Sequence, residues 1–224
     1  MSSPFFKLLA TTFATSFFYI CTGRRSISCG LFTETDTMHE IEPFYNWRHL
    51  YIAEEDENSP FYGVEHSEFE FSNTVYNYYI HPQWDEFGSR TLYMKTLFVD
   101  YELNYAIIEL IGEWNDAVEN DIMQLKRSII DLMVAQGITK YILITENVLN
   151  FHSSDTDYYE EWSEDTKDDG GWVVAINMPS QTQYDFHRSH IDHYVHLMES
   201  PNWRTFQPHD FFQSIDNAML RLLD

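Results

Sequence analysis

The sequence predicts an α/β protein with a single mixed β-sheet, in which an N-terminal antiparallel hairpin leads into a β-α-β-α-β-α continuation. Two apolar runs separated by a short turn, Thr91–Asp100 and Tyr105–Trp114, are typical of a hairpin. The next stretch has apolar residues at helical spacing, and the β-branched run Ile138–Thr145 follows it at once. A strand, a helix and a strand in this order predict two parallel strands joined by a right-handed crossover.

The crossover helix has the clearest pattern in the chain. Its apolar residues recur every three or four positions, and they are Val118, Ile122, Leu125, Ile129 and Leu132. We expect Asp116 as the N-cap, Glu119 as its capping-box partner and Gly137 at the C-terminal end. These signals predict an amphipathic helix of about 20 residues.

The remaining elements are predicted from shorter patterns. An aromatic strand begins at Phe69 and ends before Pro82, and a buried strand covers Trp172–Met178. Helical spacing continues over about Gln181–Met198 and Asp210–Leu223. The acidic run Glu54–Glu57 predicts an exposed loop, because it lacks the alternating ligands and central glycine of a calcium loop.

Residues 1–37 differ from the rest of the chain. Lys7 precedes a moderately apolar run, Leu8–Cys21, which is too short and too rich in Thr and Ser for a membrane span. One interpretation makes residues 1–23 a weak signal peptide, and the protein is then exported. The interpretation that we favour places the start of translation at Met38. Residues 1–37 are then a leader or a mis-called upstream extension outside the fold, and residues 38–224 form one α/β domain.

The charge of the chain limits its partners. Thirteen Lys and Arg residues against 36 Asp and Glu residues give a formal net charge of −23, which repels nucleic acids and anionic membranes. A partner protein with a basic surface, or a divalent cation, fits this charge. Both cysteines, Cys21 and Cys29, precede the predicted fold, so that the main body has no thiolate metal site or disulfide. A cytoplasmic location is consistent with this.

Two short motifs resemble a known family. The segment Ile107–Asn115 is similar to the strand and Gly-Glu-Leu-Asp-like turn of STAS domains, the fold of anti-sigma-factor antagonists and of sulfate-transporter cytoplasmic tails. The segment Asn150–Asp155 is similar to the Asp-Ser-Ser-Gly-like turn that opens the next helix in that family. The resemblance covers about residues 91–199. It implies a STAS-like fold and a regulatory module that acts by binding another protein.

The resemblance also implies a switch residue. In the family a serine of the second motif is phosphorylated and controls partner binding, and Ser153 or Ser154 matches that position. This sequence departs from the pattern at two places, because His152 stands where the family has an acid and Asp155 replaces the glycine. A simpler interpretation stays open, in which Ser153, Ser154 or Asp155 only caps the following helix.

A histidine-rich segment suggests a different function. His187, His190, His193 and His196 recur every three residues, and pairs at this spacing are neighbours on a helix that can bind Zn²⁺ or Ni²⁺. The spacing drifts by about 60° per step, so four histidines cannot share one ion. A solvated helix face is the simpler interpretation. If one pair binds metal, we expect His190 and His193 as ligands, with Asp192 or a distant carboxylate, and His187 as a further candidate, in a metal-dependent hydrolase.

Other catalytic patterns give little guidance. The sequence has no glycine-rich phosphate loop and no G-x-S-x-G elbow. Among many carboxylates, Glu109, Glu113 and Glu146 lie near predicted strand ends, where their surroundings can shift a pKa. We therefore expect a STAS-like regulatory or interaction module without a cofactor, and the hydrolase is the rival. The oligomeric state stays open.

Overall fold

The computed structural model describes residues 41–67, 69–76 and 78–223. The predictions for residues 1–37 and for a start at Met38 lie outside these residues. The strands are β1 (Thr74–Val75), β2 (Tyr78–Tyr79), β3 (Leu92–Asp100), β4 (Tyr105–Asn115), β5 (Lys140–His152), β6 (Trp172–Ile176) and β7 (His196–Met198). The α-helices are α1 (Asp121–Leu125), α2 (Asp131–Ala135), α3 (Asp157–Lys167), α4 (Ser180–Arg188) and α5 (Pro208–Leu223).

A five-stranded mixed sheet organises the fold, with the strand order β3-β4-β5-β6-β7. Strands β3 and β4 pair antiparallel, and every later pair in the sheet is parallel. The predicted class is therefore confirmed, including the antiparallel hairpin and the parallel strand–helix–strand unit that follows it. Strands β1 and β2 form a separate two-stranded sheet.

Side chains of the central strands alternate between two cores. On β4, Ala106 and Ile108 pack in the core that contains residues of α1, α2, α3 and α4. Ile107 points to the opposite face, where Trp47, Trp203 and the apolar side of α5 cover the sheet. Because a strand has a side-chain period of two, burial of both sets means that the sheet is covered on both faces.

The crossover helix begins later than predicted. Helix α1 starts at Asp121 after Asn120, whose φ is 55°, and Val118 is 75% exposed. Asp116 still serves the helix start, because its Oδ1 accepts the Ile122 N–H at 2.8 Å. Gly137 closes the segment at φ 90°, as predicted, since its N–H donates to a carbonyl one turn earlier.

A π-helical turn interrupts the crossover. Residues Lys126–Ile130 form this turn between α1 and α2. The wider turn shifts the apolar face by about one residue. Ile129 and Ile130 are therefore both buried, and Leu132, predicted to face the core, is half exposed.

Strand β5 carries two one-residue bulges against β4. Glu109 of β4 pairs with Ile144 of β5, and Ile111 pairs with Asn147. Strand β5 therefore has one extra residue in this interval. The register slips again where Val148 and Asn150 face consecutive residues of β4, which leaves Leu149 without a partner in that pairing. Each bulge reverses the alternation of side chains along β5.

Two predicted elements are wrong in extent. The aromatic run from Phe69 forms only the short strands β1 and β2, and Phe69 itself is 86% exposed. The predicted helix to Met198 stops at Arg188, because His190 adopts φ 59° and β7 then pairs in parallel with β6. Aromatic strand propensity depends on a neighbouring strand and a buried face, and Phe69 has neither.

The acidic run Glu54–Glu57 is only partly exposed. Asp56 accepts hydrogen bonds from the hydroxyls of Tyr51 at 2.9 Å and Tyr101 at 2.5 Å, and Glu54 also turns inward. None of the helices in the described part of the chain is long and apolar enough to cross a membrane.

Candidate functional site

An open groove of about 590 Å³ lies where β5 ends beside α4. Helix α4 is held there by Phe186, which is fully buried and contacts Phe151 with ring centroids 4.9 Å apart. The Thr182 hydroxyl also donates to the Val148 carbonyl at 2.9 Å. The groove is lined by Ala117, Phe151, His152, Ser153, Ser154, Asp185, Arg188 and Ser189.

Both predicted switch serines lie in this groove. Ser153 and Ser154 are exposed in the loop between β5 and α3, and Asp155 beside them is exposed as well. Helix α3 begins at Asp157 with Thr156 in the N-cap position. The simpler interpretation, in which Ser153, Ser154 or Asp155 caps this helix, is therefore wrong, and both hydroxyls are accessible.

His152 joins the groove to the end of β4. Its Nε2 lies 3.0 Å from Glu113 Oε1, and its carbonyl accepts the N–H groups of Asp116 and Ala117. The side chain is 53% exposed. This backbone contact fixes the start of the serine loop against the end of β4.

Arg188 is a candidate site residue that the sequence patterns missed. It is the last residue of α4 and lines the groove, as does Asp185 one turn earlier on the same helix. Within the described ranges, no carboxylate lies within 4.0 Å of the Arg188 guanidinium. A sequence signal was present, because Arg188 and Lys167 are the two Lys or Arg residues between Asp155 and Glu199.

The predicted metal ligands lie on three separate pieces of structure. His187 belongs to α4, and its Nδ1 lies 2.9 Å from Asp192 Oδ2. His190 has a left-handed backbone, and His193 ends a 3₁₀ turn, with 5.7 Å between the two ring centroids. The premise of one continuous helix is wrong. In the described part of the chain, the two groups of three ligands whose donor atoms lie within 4.8 Å of one another do not include these residues. Metal binding here stays a prediction.

The three carboxylates singled out in the sequence have different environments. Glu113 pairs with His152, and Glu146 forms an ion pair with Arg204. Glu109 lies in the middle of β4, is 1% exposed, and accepts the Phe44 N–H at 2.8 Å. Burial raises the pKa of Glu109 to about 7, with Glu146 adding to the rise, while the Phe44 N–H and Arg204 act in the opposite direction.

Asp116 is a second buried carboxylate, next in sequence to Ala117 of the groove lining. It accepts hydrogen bonds from the Tyr159 hydroxyl at 2.6 Å, from Trp114 Nε1 at 3.1 Å and from the Ile122 N–H at 2.8 Å. Burial raises its pKa to about 6, although these donors favour the ionised form. Because its donors come from β4, α1 and α3, Asp116 connects the elements that support the groove.

Comparison with known proteins gives likenesses of fold. No family model matches the chain. No curated protein matches it either. Among solved structures, the chain is similar to the anti-sigma factor antagonist SpoIIAA in its unphosphorylated form, with a TM-score of 0.42 and 16% identity over 56% of this chain and 96% of the other. For SpoIIAA of Bacillus in the phosphorylated form the values are 0.38, 17%, 56% and 98%.

An anti-sigma factor antagonist from Mycobacterium paratuberculosis is also similar, with a TM-score of 0.37 and 19% identity over 55% of this chain and 94% of the other. Anti-sigma-factor antagonists, which the two sequence motifs resemble, are thus also among the solved structures similar to this chain.

Proposed function

We propose that this chain is a regulatory module that binds another protein through the groove between β5 and α4. In this proposal, phosphorylation of Ser153 or Ser154 controls the binding. The partner carries a basic surface, because the chain has a formal net charge of −23.

The observation that carries the proposal is that Arg188 lines the same groove as the two exposed serines. A phosphoserine carries about −1.5 to −2 charges and three strong acceptor oxygens. Arg188 lines the same groove as both hydroxyls, and the 11-residue helix α3 starts directly after the serine loop. Free N–H groups at a helix start also favour a phosphate.

Modification changes the groove electrostatically. The phosphate pairs with Arg188, so the groove no longer offers a free guanidinium to a partner, and negative charge is added beside Asp185. We expect the partner to place one carboxylate of its otherwise basic surface on Arg188, and the phosphate displaces that carboxylate. We therefore expect the unmodified form to bind and the phosphorylated form to release the partner.

A pull-down from the cells that produce the protein tests the proposal. Tagged wild-type chain is compared with Ser153→Glu and Ser154→Glu, and Ser214→Glu is the matched control because Ser214 is exposed on α5, outside the groove. Mass spectrometry of the native protein looks for phosphate on Ser153 and Ser154. We expect one stoichiometric partner with wild type and the control, and its loss with a groove variant. Equal recovery by all four proteins, with both serines unmodified, would contradict the proposal.

A further inference from the structure

Four charged side chains from separate segments meet outside the groove. We call them the tetrad: Glu54, His66, Asp85 and Lys95. Glu54 and His66 belong to the segment before the small sheet, and Lys95 lies on β3. Asp85 is fixed beside β3, because its N–H donates to the Met94 carbonyl at 2.7 Å and its carbonyl accepts the Met94 N–H at 3.1 Å. The tetrad therefore links the N-terminal segment to the sheet.

Three of these side chains converge on one point. His66 Nε2 lies 3.1 Å from Glu54 Oε1 and 2.8 Å from Asp85 Oδ1, and the three donor atoms all lie within 4.8 Å of one another. When each ligand is about 2.0 Å from a tetrahedral Zn²⁺, the ligand atoms are about 3.3 Å apart. Both separations from His66 Nε2 are somewhat shorter than that value, so a small outward movement of the ligands admits the ion. An imidazole with two carboxylates is also a donor set that Zn²⁺ and its first-row neighbours accept.

Asp85 gives an independent indication. It is 1% exposed, and its Oδ2 makes no hydrogen bond, although it lies 3.3 Å from Lys95 Nζ. A buried carboxylate oxygen without a hydrogen-bond donor costs free energy, and a divalent cation bound by both Asp85 oxygens offsets that cost more fully than the Lys95 ammonium does. Asp85 and His66 also line a cavity of about 340 Å³ with Glu65, Glu70 and Glu86. This acidic cavity gives room for water ligands and an entry path for a cation.

We propose that Glu54, His66 and Asp85 bind one divalent first-row metal ion, with Zn²⁺ as the test ion. Lys95 contacts Glu54 and lies 3.3 Å from Asp85, so that it supplies positive charge when no metal is bound. The ion replaces the proton on His66, and Lys95 moves away from Glu54 into the cleft that both residues line. The bound metal ties residues of the N-terminal segment to the sheet.

The second group of three potential ligands supports the choice of site by contrast. Asp131, Glu161 and Asp165 have no imidazole among them and are half or fully exposed. Two cations, Lys126 and Arg127, pair with these carboxylates, whereas the first group has Lys95 alone. The second group is therefore an ion-pair network around the buried Lys126, and we assign no metal to it.

Zn²⁺ titration of the full chain, after treatment with a chelator, tests the proposal. We expect one equivalent to bind and to raise Tm by on the order of 5 °C. His66→Ala weakens binding by at least roughly 100-fold. The double variant His190→Ala with His193→Ala is the control, because it removes the alternative histidines and leaves the tetrad intact. Binding lost in this control and kept in His66→Ala would overturn the proposal, as would no stoichiometric binding to wild type.

Two further measurements decide the question if His66→Ala does not fold. Lys95→Met removes the competing ammonium, so Zn²⁺ binds roughly tenfold more tightly at the proposed site and unchanged at any other. Co²⁺ bound to the wild-type chain gives a visible spectrum that reports its coordination geometry. An octahedral, all-oxygen spectrum contradicts the His66 ligand. Neither result depends on partner binding, so the outcome is independent of the proposed function.

Discussion

Phe44 donates its backbone N–H to Glu109 at 2.8 Å, and this bond joins the N-terminal segment to the middle of β4. The acceptor lies on the same sheet face as Ile107, under Trp47 and Trp203, in an otherwise apolar core. An ionised carboxylate there loses its hydration and gains one N–H donor in return. The consequence is a carboxyl group whose protonation is coupled to folding near neutral pH.

Glu109 makes the stability of the protein depend on pH. Its pKa rises from an ordinary value of 4.5 to about 7 on folding, so between these values the folded state binds more protons than the unfolded state. Stability from this group is therefore full below pH 4.5 and falls as pH rises to about 7. The loss is on the order of 3 kcal/mol. We expect Glu109→Gln to remove this loss, as measured by urea unfolding at pH 5 and pH 8.

Glu102→Gln is the matched control, because Glu102 is exposed in the turn between β3 and β4. The control keeps the pH dependence of wild type. If Glu109→Gln shows the same loss of stability between pH 5 and pH 8 as wild type, Glu109 is not the group that titrates.

Asp116 is expected to be a main contributor to stability. Asp116→Ala leaves the donors of Trp114, Tyr159 and Ile122 buried without an acceptor. The expected cost is about 2–4 kcal/mol of unfolding free energy, measured by urea denaturation. Asp169→Ala, in the exposed turn after α3, should change stability by less than about 0.5 kcal/mol. Equal effects of the two substitutions would show that the buried hydrogen bonds contribute little.

Two glycines with positive φ should differ in their tolerance of alanine. Gly112 has φ 127°, and a Cβ there would lie 2.1 Å from the Thr91 carbonyl oxygen. We expect Gly112→Ala to lower the free energy of unfolding by at least about 3 kcal/mol or to prevent folding, because the backbones at Thr91 and Gly112 would have to separate. Gly63 has φ 74° with no atom within 4 Å of its Cβ position, so Gly63→Ala should cost only about 1–2 kcal/mol. Thermal unfolding of both variants compares them, and a larger loss for Gly63→Ala contradicts the prediction.

Arg188 should lower the second pKa of a phosphate on Ser153. The guanidinium favours the dianion, so we expect this pKa to rise by roughly half a unit when Arg188 is replaced by alanine. Titration of site-specifically phosphorylated protein by ³¹P NMR measures it. Arg221→Ala near the end of α5 is the control for the loss of one positive charge. An unchanged pKa in the Arg188 variant places the phosphate away from this residue.

The sequence predicted the elements whose signals are local. The hairpin of β3 and β4, and the parallel pair of β4 and β5, follow from apolar runs that meet through short connections. Strand β7 was missed because its three residues are defined by pairing with Val174–Ile176 of β6, which no local pattern encodes. The same reason explains the false helix to Met198.

The sequence predicted the groove residues that follow β5 but not those of α4. Ser153, Ser154 and His152 follow one another in the chain, whereas Arg188 reaches the groove only because Phe186 packs α4 against β5. The tetrad is a stronger case of the same effect. The sequence pattern placed Glu54 in a solvated acidic loop. Its environment is changed by Lys95 of β3 and by His66, which lies in a loop before β3.

The two bulges in β5 determine to which face of the sheet each of its last side chains points. Phe151 packs on Trp114 inside the helix-covered core, and the next residues point to the open groove. Removing one residue between Asn147 and Asn150 would invert this arrangement, so that an imidazole enters the core and a phenyl ring faces water. The number of residues between Asn147 and Ser153 is therefore as constrained as the serines themselves. We expect homologous proteins with the same function to keep this number even where the residues differ.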